Sequence, residues 1–240
     1  MKQLITLPFI LIFLICCNNS NPKVVYQQSS DSLTNKLLVD TLAIEVAGLP
    51  VHFEGTSHLI HPIGKIKPNR SVRKAFMSSY SSHSSSRSIS FFYKDNSSIR
   101  GDIINVRFQH IDSVKLINLT NKQLKINEIE FIGPKDIPDV EPVLLYQITD
   151  IDTNEDLKLN DDDIESLYIS STDGQHFKKL TPAYEELINW ELMKVQKRIY
   201  FITSEDINKD GEFNKTDTFH YYYVDLNDKS KEVIEYNPLL

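Results

Sequence analysis

The stretch Asp206-Ile-Asn-Lys-Asp-Gly-Glu-Phe-Asn-Lys-Thr-Asp217 places oxygen-bearing side chains at its first, third, fifth, ninth and twelfth positions. Calcium takes about six to eight oxygen ligands, and twelve-residue loops supply them from these positions and from the seventh carbonyl. The spacing therefore predicts a calcium site with the following ligands: Asp206, Asn208, Asp210, the Glu212 carbonyl, Asn214 and Asp217. Gly211 suits the sharp turn at the sixth position, and Phe213 would anchor the loop to the rest of the chain.

A second stretch, Asp152–Asp163, has the same spacing and lies 54 residues upstream. Its predicted ligands are Asp152, Asn154, Asp156, the Lys158 carbonyl, Asn160 and Asp163. Leu157 replaces glycine at the sixth position, so we expect a strained turn and weaker calcium binding. A register that begins at Asp150 would place Glu155 at the turn. The offset of 54 residues also aligns the segments before the two loops, which favours the register from Asp152.

Both loops are flanked by strand-like segments. Val143–Ile148 and Ser166–Ser170 enclose the first loop, and Arg198–Thr203 and His220–Leu226 enclose the second. Each loop is therefore expected to replace a hairpin turn, where a bound ion would hold two strands together. The alternative is an acidic turn without metal, because Asp, Asn and Gly are also common turn residues.

The chain from Leu37 to Gly133 also has the pattern of a β-protein. Short apolar or alternating runs predict strands at Leu42–Val46, Val51–Phe53, Ile89–Tyr93, Ile103–Phe108 and Leu124–Phe131. The predicted fold class is therefore mostly β, with antiparallel sheets. Prolines in Gly133–Val140 indicate a boundary there. It would separate an N-terminal β-rich region, 37–133, from two 54-residue repeats in 141–240.

The C-terminal half resembles a known repeat. Leu167–Gly174, followed by Leu180-Thr181-Pro182, is similar to the blade repeat of Tol-type periplasmic proteins, and Trp190 stands where that family has a tryptophan. The resemblance covers 143–236 and implies β-propeller-like blades with the calcium loops inserted in strand connections. The chain lacks the Pro-Asp-Gly turn expected after Trp190, and such blades do not normally carry calcium loops. A helix over Ala183–Lys197 is the alternative, because its Glu, Leu and Met residues favour helix.

Residues 1–17 combine an early lysine, the apolar run Leu4–Ile15 and two cysteines, which is typical of an export signal. Leu14-Ile15-Cys16-Cys17 resembles a bacterial lipobox, and the resemblance implies cleavage before Cys17 and lipid attachment to it. Secretion without lipid is the alternative. Residues 18–36, rich in Asn, Ser and Gln, predict a flexible tether.

Two further resemblances bear on location and role. Both loops end in Asp, as dockerin-type extracellular calcium loops do, which implies stabilisation by calcium instead of signalling. The whole chain, with Ile60-His-Pro-Ile-Gly64 and twin loops, is similar to bacterial envelope lipoproteins of unassigned activity. These resemblances imply a lipid-anchored protein of the cell envelope. No acids stand directly after Cys17, which favours the periplasmic side of the outer membrane over the surface.

Composition and motifs narrow the function. The net charge of −7 without a basic stripe argues against a nucleic-acid partner, and there is no nucleophile elbow or phosphate-binding glycine loop. His58 and His61 are three residues apart and would face opposite sides of a strand, which argues against a zinc site formed by this pair. Tyr221 and Tyr223 share one face of a strand and could stack on a ligand.

We therefore predict a calcium-binding, lipid-anchored scaffold or binding module without enzymatic activity. Its partners would be the membrane, through the lipid, and a protein or a glycan. The alternative is an envelope hydrolase, for example one that acts on glycans, with its site in the N-terminal half.

Overall fold

The computed structural model describes residues 22–26, 37, 43–66, 92–95 and 97–240. These residues form antiparallel β-sheets and no helix, so the mostly-β prediction is confirmed. No helix in the described ranges is long and apolar enough to cross a membrane. The predicted signal peptide, the lipid site Cys17 and most of the predicted tether lie outside the described residues.

The first sheet contains ten strands. Its order is β1-β3-β5-β7-β8-β9-β10, with β2 paired to β3 and with β4 and β6 paired to β5. The strands are β1 (Ile44–Ala47), β2 (Val51–His52), β3 (His58–Ile66), β4 (Phe92–Lys94), β5 (Ser98–His110), β6 (Leu116–Asn118), β7 (Lys125–Ile132), β8 (Val143–Thr149), β9 (Ser166–Ser171) and β10 (Lys178–Lys179).

The boundary predicted at Gly133–Val140 is a hairpin connection inside this sheet. β7 and β8 pair along their whole length, from Ile132 opposite Val143 to Lys125 opposite Thr149. The prolines end one strand and begin a turn, as they do between domains. Composition alone therefore could not distinguish a hairpin from a domain boundary.

The second sheet contains four strands in chain order: β11 (Glu185–Met193), β12 (Arg198–Glu205), β13 (Thr218–Asp225) and β14 (Val233–Glu235). The alternative helix over Ala183–Lys197 is not formed. β11 pairs with β12 from Glu185 opposite Glu205 to Met193 opposite Arg198, and it buries Leu187 in the core. Sheet pairing and burial here outweigh the helical preference of individual residues.

Both faces of β8 are buried. Leu144 and Tyr146 face one core, which β3, β5 and β7 also line. Val143 and Leu145 face a second core, where β8 and β9 pack against the inner face of the second sheet. The alternation of side chains along β8 thus places this strand between the two cores. This arrangement fixes the hairpin that carries the first predicted calcium loop.

Candidate metal centres

The second predicted loop connects β12 to β13 directly. The two strands pair up to Glu205 opposite Thr218, so Asp206–Asp217 fills the connection with no residue to spare. Asp206 and Asp217, the first and last residues of the loop, are only 3% and 9% exposed. The hairpin geometry therefore brings two acidic side chains into the base of the turn and removes them from water.

The buried carboxylates of this loop are only half satisfied. Asp206 Oδ2 accepts the Gly211 N–H at 2.7 Å, and Asp217 Oδ2 accepts the Asn214 N–H at 2.7 Å. The other oxygens, Asp206 Oδ1 and Asp217 Oδ1, are buried and have no hydrogen-bond partner among the described residues. A buried charged oxygen without a partner is costly. A cation bound at either oxygen would reduce that cost.

The first loop connects β8 to β9 and has the same internal hydrogen bonds. Leu157 N donates to Asp152 Oδ2 at 2.8 Å, as the sixth residue does to the first in the second loop. Asn160 N donates to Asp163 Oδ2 at 3.0 Å, the counterpart of the bond between the ninth and twelfth residues. In both loops the amide of the fifth residue also donates to the side-chain oxygen of the third residue. The N···O distances are 3.0 Å in the first loop and 2.9 Å in the second.

Backbone conformation matches as well. The fourth and sixth residues have positive φ in both loops, at 60° and 66° for Glu155 and Leu157 and at 58° and 81° for Lys209 and Gly211. Leu157 thus adopts the left-handed conformation that disfavours a side chain, as expected from the missing glycine. Asp150, the start of the rival register, instead accepts hydrogen bonds from the Tyr168 hydroxyl and the Lys179 ammonium group. The matching φ angles and hydrogen bonds of the two loops support the register from Asp152.

The two loops differ in how well they are satisfied without metal. Asp163 is 1% exposed, but its Oδ1 accepts the Thr153 and Asn154 amides at 2.8 Å and 3.3 Å. Burial raises the pKa of Asp163, although these hydrogen bonds oppose the rise. Asp156 pairs with the ammonium group of Lys158 at 3.2 Å. The buried carboxylates of the first loop are therefore better satisfied by the chain itself than those of the second loop.

Neither loop is fully arranged as a cation cage. In the described part of the chain, no three His, Cys, Asp or Glu side chains converge on a common metal position. Asn208 directs its Nδ2 at Asp210 Oδ2, 2.9 Å away, instead of presenting its oxygen to the same point. Binding would thus require side-chain rotations in the exposed part of the loop, whereas Asp206 and Asp217 are already fixed.

Residues Pro22–Tyr26, here called the N-terminal strap, are packed between the two loops. Lys23 N and Val24 N lie 2.6 Å and 3.3 Å from Gly211 O, and Val25 N donates to Thr153 O at 2.8 Å. Thr153 Oγ1 donates to Lys23 O at 2.8 Å. Val24 is only 2% exposed. This part of the predicted tether is therefore attached to the domain, a contact that its polar surroundings in the sequence did not indicate.

Two side chains of the strap, Lys23 and Tyr26, lie beside acidic groups of the domain. The Lys23 ammonium group forms an ion pair with Glu186, whose other oxygen accepts the Glu165 amide at 3.0 Å. Burial raises the pKa of Glu186, and the Lys23 charge opposes this rise. Burial and the negative charges of Asp206 and Asp217 raise the pKa of Tyr26 to about 12. The tyrosine is therefore a neutral neighbour of the second loop.

Four tyrosines lie together on the outer face of the second sheet. The ring of Tyr200 lies 5.6 Å from that of Tyr223 and 5.5 Å from that of Tyr236, and Tyr221 lies 6.2 Å from Tyr236. The guanidinium carbon of Arg198 lies 4.4 Å from the Tyr223 ring centre. All four rings are partly exposed. We call this set the tyrosine face: Tyr200, Tyr221, Tyr223 and Tyr236.

Tyr222, between Tyr221 and Tyr223, points to the opposite, inner face of the sheet, as strand alternation predicts. Tyr222 is 7% exposed and stacks on Phe201 with ring centres 5.2 Å apart. Its hydroxyl donates to the buried carboxylate of Glu185 at 3.2 Å. Burial, followed by the charge of Glu185, raises the pKa of Tyr222. Of the three successive tyrosines on β13, Tyr221 and Tyr223 are therefore the ones that a ligand could reach.

The histidines of the first sheet form separate contacts. His58 lies opposite His110 on the neighbouring strand, with ring centres 5.1 Å apart. His61 Nε2 lies 2.9 Å from Gln109 Oε1. His58 and His61 thus interact with different partners.

A cleft of about 810 Å³ is lined by two histidines and two acids, together with lysines of β10 and the β13–β14 connection. These four titratable groups are His58, Glu141, Asp173 and His176. Among the described residues, no hydrogen bond or ion pair joins any two of them. The cleft therefore does not contain an assembled acid–base pair.

No protein-family model matches the chain, and no curated protein is significantly similar to it.

Proposed function

We propose that this chain is a calcium-binding, lipid-anchored protein of the bacterial cell envelope that acts as a scaffold or binding module without enzymatic activity. The observation that carries the calcium proposal is the pair of buried oxygens Asp206 Oδ1 and Asp217 Oδ1, which have no hydrogen-bond partner among the described residues. Two anionic oxygens at the base of one twelve-residue loop fit a hard cation. The matching backbone of Asp152–Asp163 supports a second, weaker site.

Calcium would act through stability. It would supply positive charge to a loop whose three aspartates repel one another in its absence. Asp206 and Asp217 are held by backbone amides, so the chain itself orients their free oxygens before an ion arrives. Extracellular modules bind calcium with dissociation constants of about 0.1–1 mM. Millimolar calcium would then stabilise the folded state by about 1 kcal/mol per loop.

Thermal melts of the chain in excess chelator, in calcium and in magnesium test this proposal. We expect calcium to raise the midpoint by about 2–4 °C for each kcal/mol of stabilisation, and magnesium to have a smaller effect because it demands a tighter octahedral shell. An Asp206→Asn, Asp217→Asn variant is the matched control, in which the calcium effect should be largely lost. An identical midpoint in calcium and chelator for the unaltered chain would reject the proposal.

The lipid anchor is supported by Leu14-Ile15-Cys16-Cys17 and has its own test. Mass spectrometry of the membrane-bound chain should find the mature N-terminus at Cys17 with attached acyl groups. Cys17→Ser should abolish acylation and release the chain from membranes, whereas Cys16→Ser should leave both unchanged. Equal loss in the two variants, or acylation retained in Cys17→Ser, would contradict the assignment.

We also propose that β7–β10 and β11–β14 are two blade-like units. Each contains four antiparallel neighbours in chain order, with the calcium loop between its second and third strands. In each unit the last strand pairs antiparallel with the third, with Lys178 opposite Ile169 in the first unit and Val233 opposite Val224 in the second. If the units are repeats, a loop exchange that places Asp206–Asp217 between β8 and β9 should fold and bind calcium.

The tyrosine face supports a second role, the binding of a glycan partner. Partly exposed aromatic rings beside a guanidinium group can stack on sugar rings and donate hydrogen bonds to hydroxyls. Titration with soluble cell-wall glycan fragments, followed by tyrosine fluorescence, tests this role. Tyr223→Ala should weaken binding at least tenfold, and the exposed Tyr184→Ala outside this face should not. The hydrolase alternative gains no comparable support from the described acids and histidines.

A further inference from the structure

The N-terminal strap touches both candidate calcium loops through backbone groups that adjoin ligand positions. Gly211 accepts two strap amides and stands between Asp210 and the Glu212 carbonyl. Thr153 stands between Asp152 and Asn154 and binds the strap with both its carbonyl and its hydroxyl group. We propose that the strap couples the two loops, so that calcium in one loop favours the seated strap and strengthens binding in the other. This inference rests on the proposed calcium binding.

In the second loop, a single residue connects the ligand to the strap. The Gly211 N–H donates to Asp206 Oδ2 at 2.7 Å, while the Gly211 carbonyl accepts Lys23 N at 2.6 Å. A cation on the free oxygen of Asp206 would hold this carboxylate and therefore the turn at Gly211. Ordering the turn fixes the acceptor that the strap requires.

In the first loop, Thr153 connects a predicted ligand to the strap, as Gly211 does in the second loop. Its amide donates to Asp163 Oδ1 at 2.8 Å, and its hydroxyl donates to Lys23 O at 2.8 Å. The same hydroxyl oxygen accepts the Ile164 amide at 3.1 Å. Movement of Asp163 on binding calcium would therefore be transmitted to Thr153 and to the strap.

Close packing makes the strap sensitive to small changes in the loops. A Cβ at Gly211 would lie 2.4 Å from Val24 O and 2.5 Å from Pro22 Cβ, so this turn and the strap are in direct contact. Val24 is buried by the same contact. Because the strap binds both loops at once, the seated state requires both acceptors to be in place.

Coupling between two sites is reciprocal and typically changes affinity by about 5- to 150-fold. Calcium should therefore protect the strap amides, and loss of the seated strap should weaken calcium binding at both loops. Independent loops would show neither effect. These two directions can be measured separately.

Hydrogen exchange measures whether calcium protects the strap amides. The full chain is kept in detergent and compared in chelator, in calcium and in magnesium. We expect calcium to slow exchange of the Lys23, Val24 and Val25 amides at least fivefold, and Asp206→Asn to abolish most of this slowing. Calorimetric titration under the same conditions reports calcium binding itself. Binding without any change in strap exchange would overturn the coupling alone, and no binding would overturn the proposed function as well.

A matched pair of uncharged substitutions tests whether loss of the seated strap weakens calcium binding. Val24→Asn places an amide in a buried position, whereas Val25→Asn makes the same change at a neighbour that is 38% exposed. We expect Val24→Asn to weaken calcium binding at both loops at least fivefold, and Val25→Asn to change it less than about twofold. Equal affinities in the two variants would overturn the coupling. If Val24→Asn does not fold, the exchange experiment on Asp206→Asn decides.

Discussion

The N–H of Gly211 lies 2.7 Å from Asp206 Oδ2, while the second oxygen of the same carboxylate is buried without a hydrogen-bond partner in the described structure. The backbone thus orients the acid, and one oxygen remains for an ion. This relationship distinguishes the loop from an ordinary acidic turn, whose carboxylates would be solvated.

Asp206→Asn should have opposite effects with and without calcium. In chelator, removal of a buried, half-satisfied charge should raise the free energy of unfolding by about 1 kcal/mol. In calcium, the variant should lose most of the metal response. Urea denaturation in both conditions measures the two effects. Asp152→Asn should change each value less, because Asp152 is partly exposed and the first loop is better satisfied; equal or reversed losses would contradict this ranking.

Gly211→Ala should destabilise the domain more than Gly55→Ala. Both residues have positive φ, at 81° and 87°, so each alanine costs about 1 kcal/mol in backbone conformation. Only at Gly211 does the new Cβ collide with the strap; at Gly55 the nearest atoms, of Pro134, are 3.9 Å away. Thermal melts should therefore show a larger loss for Gly211→Ala, by at least about 1 kcal/mol. Similar melts would mean that the strap contact is not stabilising.

Leu157→Asn should stabilise the first loop. Leu157 has a φ of 66°, and asparagine tolerates this conformation better than leucine does. We expect a gain of about 0.5 kcal/mol in the free energy of unfolding, measured by urea denaturation in chelator. Leu159→Asn, the same change at a partly buried neighbour without positive φ, should instead be destabilising.

His220 should make stability depend on pH. Burial lowers its pKa, but hydrogen bonds to Glu235 and Glu205, each at 3.0 Å, outweigh burial and raise the pKa above its usual value. A raised folded-state pKa gives stability that is fully present below about pH 6.5 and is lost as the pH rises through the folded value. His220→Gln should therefore cost more at pH 6 than at pH 9. The difference should be about 1 kcal/mol or less, because both glutamates are more than half exposed.

Urea denaturation from pH 5.5 to 9 measures this dependence, with Glu235→Gln as a second variant that should reduce it. A constant difference between His220→Gln and the unaltered chain across this range would contradict the assignment.

Most strands were predictable because their side chains alternate between core and solvent or form short apolar runs. Leu124–Phe131 was predicted and Lys125–Ile132 is observed, and the strands on both sides of each loop agree within two residues. β5 is much longer than Ile103–Phe108, since pairing with several neighbours extends it through polar residues. β6 was not predicted, because all three of its residues are exposed and lack a buried face.

The positions of the two loops between strands were predictable for a different reason, because the spacing within each twelve-residue segment is a local property of the chain. The partner of the loops was not. Val24-Val25-Tyr26 was the only signal of the strap, three strand-forming residues within a stretch rich in Asn, Ser and Gln. A contact between residues 130 positions apart, such as Thr153 with Lys23, depends on the folded arrangement. Sequence periodicity carries no information about such a contact.

The strap also sets a length. Pro22 is the fifth residue after Cys17, and an extended chain spans at most about 3.6 Å per residue. If Cys17 carries lipid, a seated strap keeps the two loops within about 18 Å of the bilayer surface. With the strap released, the first strand, which begins at Ile44, could stand up to about 97 Å away. Calcium would then determine how far above the membrane the domain can reach, and therefore which neighbours in the envelope it can meet.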